Sequence, residues 1–192
     1  MYPSEDEIEF LLETAGDYLV SQPTRDDILS KFAGVRPLIS RSNTTNTAKL
    51  SRSHKLYIDD NGLITITGGK WTTYRQMAEE AVDAAINVGH LSATECVTKT
   101  LPVDAPPPST GSRLHVDLPY TTGDIERAIR SEMAMKVEDV LARRTRALFL
   151  NASAARELGV QIAEILGIEH DRNDDQISED AIWFDTVAKG YL

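Results

Sequence analysis

A β-branched run that ends in two glycines and passes at once into a helical pattern restricts the fold of this chain more than any other feature. Thr65-Ile66-Thr67-Gly68-Gly69-Lys70-Trp71-Thr72-Thr73-Tyr74-Arg75 reads as a strand, a turn without Cβ atoms, and a helix start. Free N–H groups and the positive end of the helix dipole converge where Lys70, Thr72 and Thr73 stand. That combination suits a phosphate, a carboxylate or an electron-rich ring. The plainer reading is a strand-to-helix turn with threonine caps and one solvated lysine. This stretch alone leaves both readings open.

The residues before the corner supply its sheet. His54 to Asp59 and Leu63 to Thr67 are two short strands joined through Asp60-Asn61-Gly62, and Asn-Gly between such runs is a strong hairpin signal. Arg52 and His54 stand at the hairpin entrance, where a lone histidine reads as structural or exposed. Upstream, Lys31 to Ile39 is apolar except for Lys31 and Arg36, and Pro37 makes it an edge strand or a strand end. Arg36 is thereby fixed on stiff backbone, either pointing to solvent or acting as an anion clamp. Between these segments Arg41 to Lys49 is polar and turn-rich, a surface loop. At the N-terminus Ser4, followed by Glu5, Asp6 and Glu7, opens an amphipathic helix through Ile8, Leu11, Leu12, Ala15 and Leu19. Thr24 with Asp27 forms a second capping start. After the corner, Met77, Ala78, Ala81, Val82, Ala85 and Val88 make a helical stripe that stops at Gly89.

The composition shifts at Leu101-Pro102-Val103-Asp104-Ala105-Pro106-Pro107-Pro108, an extended linker taken over 101–118. Everything beyond is helical in pattern. A helix from Thr122 or Asp124 carries Ile125, Ala128, Ile129 and Met133, and a second runs from about Lys136 to Leu150. A third spans Ala152 to Leu166 with Gly167 as its stop, and a last begins near Ser178 and runs toward Lys189. The expected fold is α+β: a small antiparallel sheet with helices over 1–100, then the linker, then an all-α helical domain over 119–192.

Charge and motifs narrow the chemistry. The net charge of −10 excludes a broad nucleic-acid footprint, although local cations still suit a small anion. The one cysteine, Cys96, forms no internal disulfide, and no apolar run reaches membrane-spanning length. Gly69-Lys70 fails as a phosphate-binding P-loop, because Ile64 and Trp71 occupy the positions that need Gly and Ser or Thr. The acidic run Asp171 to Gln176 lacks the sixth-position glycine and twelfth-position glutamate of an EF-hand. The residues themselves therefore support an anion or ring site built from Arg36, Arg52, Gly68, Gly69 and Lys70.

Several motifs in one order then carry a family resemblance. Ala33-Gly34-Val35-Arg36-Pro37-Leu38, Ser51-Arg52-Ser53-His54 and Gly68-Gly69-Lys70-Trp71-Thr72-Thr73-Tyr74-Arg75 resemble the C-terminal part of FAD-dependent glycerol-3-phosphate dehydrogenases. Val137 to Leu150 resembles the family's helical C-terminal domain. The resemblance implies oxidation of sn-glycerol 3-phosphate to dihydroxyacetone phosphate, with electrons passing through FAD to quinone. It makes Arg36 and Lys70 catalytic and substrate-binding, and gives Arg52 the substrate phosphate. Gly68, Gly69, Lys70, Trp71, Thr72 and Thr73 face the flavin. Four histidines scattered across loops give no metal constellation, and the acidic balance speaks against nucleic acid. With the resemblance go peripheral association with an inner membrane from the cytoplasm (the mitochondrial inner membrane in a eukaryote) and a homodimer. No counterpart of the family's N-terminal FAD-binding domain is found here, and the stretch between Leu101 and Leu118 is shorter than the family pattern. The expectation is a chain that is inactive alone, binding FAD weakly or not at all. The alternative is a non-enzymatic helical interaction module with a relict anion pocket.

Overall fold

The structure, a computed structural model, describes residues 2–35, 53–103 and 110–192. Arg36, Arg52 and the loop expected over 41–49 lie outside them. In chain order the described residues form α1 (Glu5–Gly16), β1 (His54–Ile58), β2 (Ile64–Gly68), α2 (Tyr74–Gly89), α3 (Thr122–Arg130), α4 (Ala147–Leu150), α5 (Ala152–Glu157), α6 (Gly159–Glu169) and α7 (Asp174–Lys189). Short 3-10 turns stand at Arg25–Asp27 and Trp71–Thr73, and a π-helical turn at Asp139–Arg144. The class is α+β, with β1 and β2 as an antiparallel pair and a helical C-terminal part. The chain divides into two compact units, Met1–Gly34 with Pro107–Leu192, and Val35–Pro106.

The helical unit encloses the core. Ile125, Leu141, Leu148, Ile162, Leu166 and Phe184 are fully buried there, and α7 packs on α6 and α5. Its buried polar groups are locally satisfied. Asp124 accepts the Thr121 N–H at 2.8 Å and pairs with Arg127 at 2.9 Å, so it caps α3 from inside the first turn. Asp180 accepts the Val137 N–H at 3.1 Å and faces Arg172 at 3.2 Å. Asp139 is held below the usual carboxylate range: burial pushes it up, but the Met135 and Lys136 N–H groups and the nearby Arg143 and Arg144 outweigh that.

The first 34 residues belong with these helices, whereas the sequence grouped residues 1–100 together. Ser4 is the expected N-cap of α1 and closes a capping box with Glu7, and the Thr24 N–H and hydroxyl both donate to Asp27 at 2.8 Å. Lys31 to Val35 is not a strand. The stretch from Leu29 is a strap whose backbone partners are helix ends: the Leu29 carbonyl accepts from Ala152 at 2.9 Å, and the Lys31 N–H donates to the Tyr191 carbonyl at 2.9 Å. The Ser30 hydroxyl donates to the Leu148 carbonyl at 2.8 Å, and Phe32 meets Phe149 edge-on at 4.8 Å. These hydrogen bonds to helix ends and the edge-on ring contact outweighed the β-propensity of the run. The linker is also narrower than expected. Leu118 is fully buried, the Leu114 N–H donates to the Tyr120 carbonyl at 3.0 Å, and the Thr121 hydroxyl donates to the Thr110 carbonyl at 2.6 Å.

Several helix boundaries differ from the sequence pattern: α1 stops at Gly16, the helix expected over Ala152–Leu166 is divided into α5 and α6, and α7 starts at Asp174 rather than near Ser178. Met133 lies beyond α3 with φ 55° and stays exposed. The helix expected over Lys136–Leu150 breaks at Arg146, which takes φ 64°. Just before it, the Thr145 N–H reaches back five residues to the Val140 carbonyl at 2.9 Å, and its hydroxyl donates to the same oxygen at 2.8 Å. That side chain competes with the regular ladder, and the turn widens. Gly167 ends nothing; it lies inside α6, where an added Cβ would stand 2.4 Å from Ile177 Cδ1.

The smaller unit holds the hairpin and α2. Its strands pair His54 with Gly68 and Ile58 with Ile64, one residue shorter at each inner end than read from sequence. The Asp59 N–H donates to the Leu63 carbonyl at 3.0 Å around the three-residue loop Asp60-Asn61-Gly62, with Gly62 at φ 83°. Helix α2 does run to Gly89, but the left-handed closing position falls on His90 (φ 49°, ψ 41°). A side chain with a Cβ is strained there. His90→Gly is therefore expected to stabilise this unit by about 0.5–1 kcal/mol, read as a higher urea midpoint.

Candidate functional site

The glycine corner is built from the end of β2. Gly68 and Gly69 both take positive φ, 75° and 81°, so two consecutive residues adopt a conformation that only glycine enters without strain. The chain then extends through Lys70 and closes a single 3-10 turn before α2 begins at Tyr74. The sequence placed the helix start at Lys70 to Thr73; the structure interposes this tighter turn. The Thr73 hydroxyl donates to the Lys70 carbonyl at 3.0 Å and accepts the Lys70 N–H at 3.3 Å, so Thr73 is a structural cap facing its own chain. The Trp71 and Thr72 N–H groups have no hydrogen-bond acceptor among the described residues, as expected for the first residues of a helical turn. The Lys70 ammonium likewise has no acidic partner among them.

The paired glycines do not leave a hollow beneath the corner. A Cβ added to Gly69 would stand 2.5 Å from Met77 Sδ and 3.1 Å from His54 Cβ. Glycine is thus required at 69 by close packing as well as by φ. The accessible chemistry is the backbone amides at 71 and 72, the Thr72 hydroxyl and the Lys70 ammonium, in residues that are all exposed. Trp71 is 85% exposed and stacks on Tyr74 at 5.2 Å between ring centroids. Arg36 and Arg52, the other two cations of the expected site, lie outside the described residues. The structure therefore brings together Gly68, Gly69, Lys70, Trp71, Thr72 and Thr73.

Sequence reading missed the group that supports this corner. His54 Nε2 lies 2.7 Å from Glu80 Oε2, linking the start of β1 to the middle of α2, and Gln76 donates to the other Glu80 oxygen at 2.9 Å. No spacing rule joins residues 54 and 80; only Met77, on the apolar stripe of α2, was legible beforehand. The hydrogen bond from His54, with that from Gln76, holds the Glu80 carboxyl below its usual value. An acid depressed in the folded chain contributes stability that is complete above its unfolded value and is lost as pH falls through the folded one. Glu80 is accordingly expected to titrate below the exposed glutamates in a carbon-detected NMR titration, and His54→Ala should return it upward.

Elsewhere in this unit, a groove of about 500 Å3 runs along α2 between Tyr74, Ala78, Val82 and Ile86 and the stretch Thr94–Val103. It does not include Gly68–Thr73. None of the described residues of this unit is buried. A sheet and helix whose apolar side chains all stay partly exposed have only a thin core.

Comparison with known proteins fits this geometry. Residues 64–177 match the family described as the C-terminal domain of alpha-glycerophosphate oxidase. The chain is 33% identical to the mitochondrial glycerol-3-phosphate dehydrogenase SDP6 of Arabidopsis thaliana, over 88% of this chain and 36% of that protein. It is 34% identical to the mitochondrial glycerol-3-phosphate dehydrogenase of Mus musculus, over 87% and 29%. The corresponding Homo sapiens protein is 33% identical over 90% and 30%. The chain thus spans about a third of the length of the curated relatives it matches. Because the matched span covers more than half of its residues and includes the corner, α2 and most of the helical unit, the chain belongs to the family of the alpha-glycerophosphate oxidase C-terminal domain.

Proposed function

We propose that this chain forms the substrate-side and C-terminal portion of an FAD-dependent glycerol-3-phosphate dehydrogenase. The complete enzyme would oxidise sn-glycerol 3-phosphate to dihydroxyacetone phosphate and pass the electrons to quinone. The observation that carries the reading is the corner itself. Two positive-φ glycines lead to two amides, a hydroxyl and an ammonium that have no partner among the described residues, in a segment that the family match covers. The residues fit a flavin edge through those amides, since the Cβ side of Gly69 is already filled.

When bound, FAD supplies the hydride acceptor. The Trp71 and Thr72 N–H groups, at the positive end of α2, favour negative charge at the ring edge placed against them. Lys70 attracts the substrate and stabilises negative charge developing on its oxygen. Arg36 serves on the substrate side with Lys70, and Arg52 helps hold the phosphate, a task that arginine's planar fork suits. The unburied small unit is covered by an FAD-binding part, without which the chain binds FAD weakly and turns over no substrate. The matched relatives are named as mitochondrial proteins, in line with a complete enzyme that would work at the surface of the mitochondrial inner membrane.

The test is glycerol-3-phosphate-dependent dye reduction by this chain assembled with the FAD-binding part of a relative. Activity is expected from the assembly and from neither part alone. Arg36→Ala should raise KM for glycerol 3-phosphate by at least about tenfold. A folded, FAD-loaded assembly that reduces no dye would overturn the reading.

A further inference from the structure

We infer that His54, Glu80 and Met77 are positioning residues that set the geometry of the Gly69–Lys70 corner. The inference deepens the proposed function, because it concerns how the same site is held. Three contacts converge on one point. The sheet register pairs His54 with Gly68. The His54 Cβ and the Met77 sulfur together fill the space where a Gly69 side chain would stand. The His54 ring is then fixed by Glu80 at 2.7 Å, and Glu80 by Gln76 at 2.9 Å. Met77 also reaches the turn from the other end, with Sδ 3.6 Å from the Thr73 hydroxyl that caps Lys70.

The consequence is mechanical. The strand ladder ends at Gly68, so the positive-φ conformation of Gly69 depends on what packs against it. Strand β1 supplies one side through His54 and helix α2 the other through Met77. The His54–Glu80 bond ties strand to helix across the corner. The His54 side chain is 16% exposed and that of Glu80 is 43%, so the pair lies at the edge of the unit, where either partner can be replaced without opening a core. Removing the tie lets the 68–70 backbone relax, and the Trp71 and Thr72 amides and Lys70 move with it. Displacement of a reacting group by about 1 Å lowers turnover steeply.

The experiment uses the full chain labelled with nitrogen-15. His54→Ala and Glu80→Ala should each shift the Gly69, Lys70 and Trp71 amide resonances in the same direction. The double variant should shift them no further than either single one, which is the signature of one shared interaction. His54→Gln, which keeps an N–H donor within reach of Glu80, should restore the native positions. Glu80→Ala serves as the decisive variant if His54→Ala fails to fold. Unmoved corner resonances in Glu80→Ala, or additive shifts in the double variant, would overturn the inference. In the assembled dehydrogenase, His54→Ala should lower kcat by about tenfold or more, with KM changed less, and His54→Gln should recover it. An assembly inactive even with native residues would defeat the functional reading alone, since the resonance pattern reports the clamp without it. An active assembly indifferent to His54→Ala would defeat the clamp alone.

Discussion

Phe184→Ala is expected to destabilise the helical unit by about 3–5 kcal/mol and to lower its melting temperature by roughly 10–20 °C. Phe184 is fully buried on α7, and its ring fits against Gly159, whose added Cβ would lie 3.2 Å from Phe184 Cδ1. The ring thus fills the close approach that a glycine at the start of α6 permits. Helices α4, α5 and α6 are short and broken by Arg146, Asn151 and Leu158, so none is stable through its own ladder. Their arrangement depends on the surface of α7. Loss of the ring leaves a cavity that short helices joined by tight turns cannot collapse to fill. Thermal unfolding followed by far-UV circular dichroism reads the change. Phe184→Leu, which keeps most of the buried area, should cost less than half as much.

The second large effect is functional. Lys70→Ala should reduce glycerol-3-phosphate-dependent turnover in the assembled enzyme by about 100- to 1000-fold, mostly in kcat. Lys70 is exposed and its ammonium has no partner among the described residues, so its removal leaves the fold unchanged. Native thermal stability with lost turnover would separate this residue from Thr73, whose hydroxyl holds the turn. Thr73→Val should lower both stability and activity, because it removes the cap on Lys70.

The elements legible in the sequence were those fixed by local chemistry. The Asn61-Gly62 turn, the Ser4–Glu7 and Thr24–Asp27 boxes and the stripe of α2 depend on residues within four or five positions of one another. What escaped depends on distant partners. Gly167 looks like a helix stop, yet it is glycine because Ile177 packs on it. Lys31–Val35 looks like a strand, but its hydrogen bonds and rings are spent on Leu148, Phe149 and Tyr191. One miss is local: Arg146 breaks a run of good helix formers because Thr145 takes the Val140 carbonyl five residues back, a competition that helical periodicity does not mark. The candidate site divides along the same line. Gly68, Gly69 and Lys70 announce themselves as a motif, whereas the His54–Glu80 tie joins two residues 26 positions apart and shows only in three dimensions.

Trp71 offers the most direct test that the corner is one wall of a cavity closed by another part of the enzyme. The chain has two tryptophans, Trp71 beside the corner at 85% exposure and Trp183 on α7 at 54%. Oxidative footprinting of the chain alone and of the FAD-loaded assembly compares them within one sample. The account predicts that Trp71 becomes strongly protected on assembly while Trp183 reacts as before. A Trp71 that stays as reactive in the loaded assembly as in the isolated chain would contradict it.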